Sequence, residues 1–160
     1  MSAFRQFQIS GLPAEPFAPL FALSAEELER IGARRVVADS SHGYPCRVSL
    51  ADVAAGEELL LVAYEHQPAA ASPYRASGAI FVSRHAKPSE LAPGELPACV
   101  AGRLMSARAY DAQHLMVSAD VCEGEALQPM IERMLADPQV AYIHLHNAKR
   151  GCYSCRVDRA

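Results

Sequence analysis

Two histidines and two cysteines fall within fourteen residues, "YIHLHNAKRGCYSC", at positions 142–155. On a β-strand alternate side chains share a face, so Tyr142, His144 and His146 point one way and Ile143 and Leu145 the other. Neutral imidazole and thiolate are the ligands zinc prefers, and an H-x-H pair on a strand can grip one ion. The same imidazoles could serve as general bases. Cys152 joins them if the chain returns as a hairpin with His146 opposite Cys152, which sets His144 against Ser154 and Tyr142 against Arg156. A slip of one residue removes Cys152 from that face. The metal candidates are therefore His144, His146 and Cys152, and the plain alternative is a polar strand face with ordinary histidines. The spacing H-x-H-x5-C-x2-C is not a usual finger pattern. Cys152 and Cys155 lie three apart, on opposite faces of a regular strand. A redox Cys-x-x-Cys opens a helix, and only five residues follow Cys155.

Three further stretches carry reactive types. In "HGYPCRVSL" Cys46 follows a turn beside Arg47, whose guanidinium would activate a thiol it faced; the alternative is a small buried hydrophobe. In "EHQPAAASPYRASG" His66 ends a strand, and Tyr74, Arg75 and Ser77 precede Gly78. Arg and Ser donors there could hold a carboxylate or phosphate, the alternative being a surface ion pair for Arg75. In "SARAYD" Ser106, Arg108 and Tyr110 share a strand face. No P-loop, G-x-S-x-G, H-E-x-x-H or dinucleotide fingerprint is present.

The elements that must position these groups are mostly strands. "FRQFQIS" alternates as a first strand. Ser24 and Glu27 have capping-box spacing, Leu23 and Leu28 fit a hydrophobic staple, and Gly32 suits a helix stop. "RRVVADS", "PCRVSL", "ELLLVAYEH" and "GAIFVS" read as strands. "AKPSELAPGELPA", with three prolines, is a long connection of the kind used as a lid, a binding loop or a linker. "GRLMSARAYDAQHLMVSADV" is a hairpin turning at Asp111–Gln113, with Tyr110 opposite His114. Leu127, Met130, Ile131, Met134 and Leu135 form one apolar helical face, which Asp137-Pro138 ends. The last hairpin is "VAYIHLHNAKRGCYSCRVDR". About eight strands and two helices that do not alternate predict an α+β fold, one domain over 1–160. Its sheet is mostly antiparallel, open or closed into a barrel.

The 160 residues are 51% hydrophobic and 21% charged with net charge −3, enough for one core and without the basic footprint of a nucleic-acid binder. The longest apolar run, "LLLVAY", is too short to span a bilayer, and "MSAFRQFQIS" has no leader pattern. Five scattered cysteines do not make a disulfide framework. These features predict a cytoplasmic protein with no nucleic-acid or membrane partner.

The segments "PCRVSL", "GEELLLVAYEHQP", "SPYRASGAIFV", "RAYD" and "YIHLHNAKRGCYSCRVDR", in that order, resemble the bacterial family known as domain of unknown function 1203. The family pattern has proline where this chain has Ala79 and does not require Cys155, which weakens any mechanism built on the Cys-x-x-Cys pair. The resemblance implies a bacterial single-domain protein and carries no reaction. It singles out Cys46, Arg47, His66, Tyr74, Arg75, Ser77, Gly78, Arg108, Tyr110, His144, His146, Asn147, Gly151, Cys152 and Arg156.

Together these readings predict a small-molecule site, binding or catalytic, where the C-terminal hairpin meets the 42–47 and 66–78 loops. His144, His146, Cys152 and Cys46 are the catalytic candidates. Arg47, His66, Tyr74, Arg75 and Ser77 are the candidates for holding an anionic ligand. The base expectation is no cofactor, with zinc or another divalent metal as the alternative. The rival function is a non-enzymatic module whose sheet edges pair with another protein or form a homodimer.

Overall fold

The computed structural model describes residues 6–160, so Phe4 and Arg5 of the expected first strand lie outside the described residues. Along the chain run β1 (Phe7–Ser10), α1 (Ala25–Arg30), β2 (Ala33–Val37), β3 (Glu58–Gln67), β4 (Ala76–Ser83) and α2 (Ala98–Ala101). They are followed by β5 (Leu104–Tyr110), β6 (Met116–Glu123), α3 (Leu127–Leu135), β7 (Tyr142–Asn147) and β8 (Tyr153–Arg159). The strands form two antiparallel sheets, ordered β1-β8-β7-β5-β6 and β2-β3-β4. The class is α+β. The barrel alternative is not realised, because β1 and β6 remain as separate edges of the larger sheet.

The helices form where their local signals lie. Ser24 accepts from the Glu27 N–H while the Glu27 carboxylate accepts from the Ser24 N–H, completing the capping box of α1. Gly32 follows with φ +70°, a left-handed turn that glycine adopts without a Cβ clash. In α3 the five predicted apolar residues are all buried. A third, one-turn helix, α2, ends the proline-rich connection.

That connection is no lid. Gln8 donates its side-chain amide to Leu91 O, the Gly94 N–H donates to Phe7 O, and the Ser89 N–H donates to Val48 O, which straps it along β1. Leu91 and Leu96 pack on the core beneath. "PCRVSL" is likewise not a strand. Residues 45–50 form turns tied by the Cys46–Phe81 and Pro45–Asp52 bridges, and Leu50 takes φ +58° to reach the core. The β5–β6 turn is also longer than the expected Asp111–Gln113, and the expected pairing of Tyr110 with His114 does not form. Tyr110 pairs with Met116, and His114 sits in the turn with φ +63°.

The five-stranded sheet separates two cores. On one face Met105, Ala107, Ile143, Leu145 and Val157 pack against Leu127, Ile131 and Met134 of α3. The three-stranded sheet has its own core, in which Leu59, Leu60, Val62, Ile80 and Val82 meet Phe21 and Leu28. Tyr153 of β8 enters this second core from the larger sheet. The far end of β3 thereby lies over the second face of β7. No helix among the described residues is long and apolar enough to cross a membrane.

Candidate metal centre

The period of two in β7 sends Ile143 and Leu145 into the α3 core and leaves His144 and His146 on the opposite face. That face is not a polar surface: His144 is 4% exposed and His146 not at all. Across β5, Ser106 faces His146, Arg108 faces His144 and Tyr110 faces Tyr142. Across β8, Arg156 faces His144 and Tyr153 faces His146. The expected pairing of His146 with Cys152 does not form: the tight turn sets Cys152 beside Asn147, whose N–H donates to Cys152 O, and β8 carries one extra residue between Cys155 and Tyr153. This bulge puts Tyr153 on the histidine face in place of a serine.

A second bulge completes the site. β3 pairs regularly as far as Tyr64–Gly78, then resumes at Gln67–Ala76 with an extra residue. Neighbouring side chains His66 and Gln67 thus both reach the larger sheet. His66 stacks on Tyr153 at 5.7 Å between centroids and lies 4.8 Å from the His146 ring. Gln67 Nε2 donates to Tyr142 Oη at 2.8 Å.

His66, His144 and His146 each present a ligand nitrogen, and these atoms all lie within 4.8 Å of one another. His66 Nδ1, His144 Nδ1 and His146 Nε2 are buried and have no hydrogen-bond partner. The tautomer of His146 follows from its other nitrogen. Gly151 O can only accept, so Nδ1 carries the proton at 3.0 Å and Nε2 presents a lone pair.

The electrostatics keep these rings neutral. Burial, then His146, His66 and the flanking arginines, push His144 down to about 3. Burial lowers His146 to about 4 against the opposing pull of the Gly151 carbonyl. Burial and then Arg108 lower His66. Burial raises Tyr153, which stays a phenol. Neutral imidazole is the form a metal needs.

Beside the histidines lies a cleft of about 220 Å³, walled by Gln67, Tyr142, His144, Arg156, His114 and Pro68 among others. Tyr142 Oη accepts from Gln67 and meets His114 Nδ1 at 2.7 Å, which links the cleft to an exposed imidazole. Arg156 lies over the Tyr142 ring at 4.1 Å and grips Asp158. Arg108 makes no hydrogen bond or ion pair among the described residues.

The other expected site residues are placed elsewhere. Cys46 is fully buried in the second core, its sulfur accepting from the Ser83 N–H. Tyr74, Arg75 and Ser77 are exposed, and Arg75 pairs with Glu65 at 3.3 Å. Arg47 and Cys152 meet each other but line a different cleft. Tyr153 and Gln67 were not legible as site residues, because bulges placed them. Tyr142 follows from the alternation of β7.

No curated protein and no solved structure matches the chain. The profile of a family described as protein of unknown function (DUF1203) matches residues 43–159, most of the chain and all the segments that resemble it. The chain belongs to the DUF1203 family.

Proposed function

We propose that His66, His144 and His146 hold one divalent first-row metal ion, and that the adjoining cleft takes a small anionic molecule as a further ligand. The observation that carries this is a cluster of one half-buried and two buried imidazoles whose ligand nitrogens lie within 4.8 Å of one another, each ring also holding a buried nitrogen without a hydrogen-bond partner. A buried polar atom without a partner costs about 1–3 kcal/mol. A cluster of three rings, each with such an atom, favours an occupant that accepts lone pairs. Imidazole suits zinc, iron, nickel and copper. Three protein ligands leave positions open, the pattern of catalytic rather than structural sites.

The anionic preference rests on charge. Three neutral ligands leave a dication uncompensated, and Arg108, on a strand flanking β7, adds a positive charge with no carboxylate partner among the described residues, whereas Arg156 on the other strand is offset by Asp158. An anion in the cleft offsets this excess, so metal and anion should bind cooperatively. Bound metal would supply a Lewis acid for an oxygen of that ligand. Gln67 fixes the Tyr142 hydroxyl, which can pass a proton to or from His114 at the cleft mouth.

The test is elemental analysis of untagged protein after equilibration with zinc, iron, nickel or copper and desalting, beside His144→Ala. Near-stoichiometric metal in the parent and less than a tenth of it in the variant is expected. A parent that retains no metal from any of the four ions would overturn the reading.

A second reading keeps one specific support. β6 is an eight-residue edge strand with Val117 and Val121 exposed, at 40% and 51%. Such an edge suits pairing with a second copy. A monomeric mass in solution at high protein concentration would remove it.

A further inference from the structure

We propose that the opposite end of the β7–β8 hairpin forms a second site, distinct from the histidines, in which Cys152 is a nucleophile presented to a small anionic ligand. A cleft of about 470 Å³ lies there, with Arg47, Asn147, Lys149, Arg150 and Cys152 in its wall. Arg47 is 2% exposed and has no carboxylate partner among the described residues. Its guanidinium donates to Tyr153 O at 2.7 Å, to Pro45 O, and to Cys152 Sγ at 3.1 Å. Guanidinium has five N–H groups, and these bonds use three. A buried cation matched only by carbonyls and a sulfur is costly and invites a counter-anion.

Cys152 is the thiol placed to use that anion. Its sulfur accepts from Arg47 and from Asn147 Nδ2 at 3.5 Å, so its lone pairs are held by donors. Asn147 Oδ1 is buried without a partner, an acceptor left over for a ligand donor. Exposed Lys149 and Arg150 add positive charge at the rim, and the opposing charge is Glu123. Arg103 is neutralised by Asp52 at 2.7 Å. The balance favours an anion. In the reaction this permits, the Cys152 sulfur forms a bond to an electrophilic atom of the ligand. The leaving group departs with its bonding pair, and the thiol proton passes to solvent.

The other cysteines are internal controls. Cys46, Cys99 and Cys155 are buried. Cys122 is partly exposed but lies beside Asp120 and Glu123. The experiment treats the full chain with limiting iodoacetate or iodoacetamide and quantifies each cysteine by peptide mass spectrometry. In both reagents sulfur displaces iodide; only iodoacetate is anionic. Cys152 should react first, and its iodoacetate-to-iodoacetamide rate ratio should exceed that of Cys122 about tenfold, in the range of electrostatic steering. Millimolar inorganic phosphate should slow Cys152 and leave Cys122 unchanged. Lys149→Glu/Arg150→Glu, confined to the exposed rim, should bring the ratio down towards that of Cys122. The inference is overturned if Cys152 reacts no faster than Cys122, if the two ratios agree, or if the rim variant keeps the parent ratio. None of these readings depends on metal at the histidines.

Discussion

The two faces of β7 are built from one alternating hexapeptide and behave as opposites. Towards α3, Ile143 and Leu145 are buried among aliphatic side chains. Towards β3, His144 and His146 are just as buried, yet each leaves a nitrogen unpartnered. Burial alone therefore does not distinguish core from site. What distinguishes them is whether burial leaves a polar group unsatisfied, since only that carries a standing free-energy cost which a ligand can remove. The aliphatic face stabilises the fold. The imidazole face holds binding free energy in reserve.

Breaking the aliphatic face should have the larger effect on stability. Leu145→Ala should cost about 2–5 kcal/mol, read by urea unfolding, while the folded fraction should retain added metal to the same extent as the parent. A loss below about 1 kcal/mol would mean this face is not the principal core.

A smaller effect sharpens the contrast through pH. In metal-free protein His144 and His146 titrate near 3 and 4, below the ordinary 6.5. Between pH 6.5 and about 4 the unfolded chain takes up protons that the folded chain refuses, so stability is full above 6.5 and falls as pH drops. The loss should exceed about 1 kcal/mol. His144→Phe, which fills the space without a titrating nitrogen, should flatten the slope and be near neutral or stabilising at pH 7.5. Saturating metal should hold the histidines unprotonated and steepen the acid loss. An unchanged slope in His144→Phe would show that His144 is not the group resisting protonation.

The smallest effect belongs to the loop that looked like an anion site. Arg75→Ala should shift stability by no more than about 0.5 kcal/mol, as exposed ion pairs do, and should leave metal retention unchanged. A tenfold fall in metal retention would return that loop to the site.

Several features were legible because local rules dictate them. The capping box at Ser24 and Glu27, the apolar face of α3, and the shared face of Tyr142, His144 and His146 all follow from spacing. "PCRVSL" was misleading. Its alternation suits a strand, but the demand that Leu50 reach the core turns the chain back on itself. His66 was placed in one site with the hairpin histidines, but as a holder of an anionic ligand beside its sequence neighbours Arg75 and Ser77; its direct clustering with His144 and His146, nearly eighty positions on, was not legible.

The sequence by itself determined which chemistry was affordable: imidazoles, a thiol and guanidinia, with the two histidines of β7 on one face. Tertiary structure alone decided the partners. Two bulges, each a single extra residue, turn His66 and Gln67 inward and set Tyr153 rather than Ser154 opposite His146, while the turn keeps Cys152 beside Asn147. A bulge depends on how two distant strands pair, and it shifts the facing of every residue beyond it. No local pattern encodes that shift, so the three-histidine cluster and the separation of Cys152 from it arise only when the sheets form.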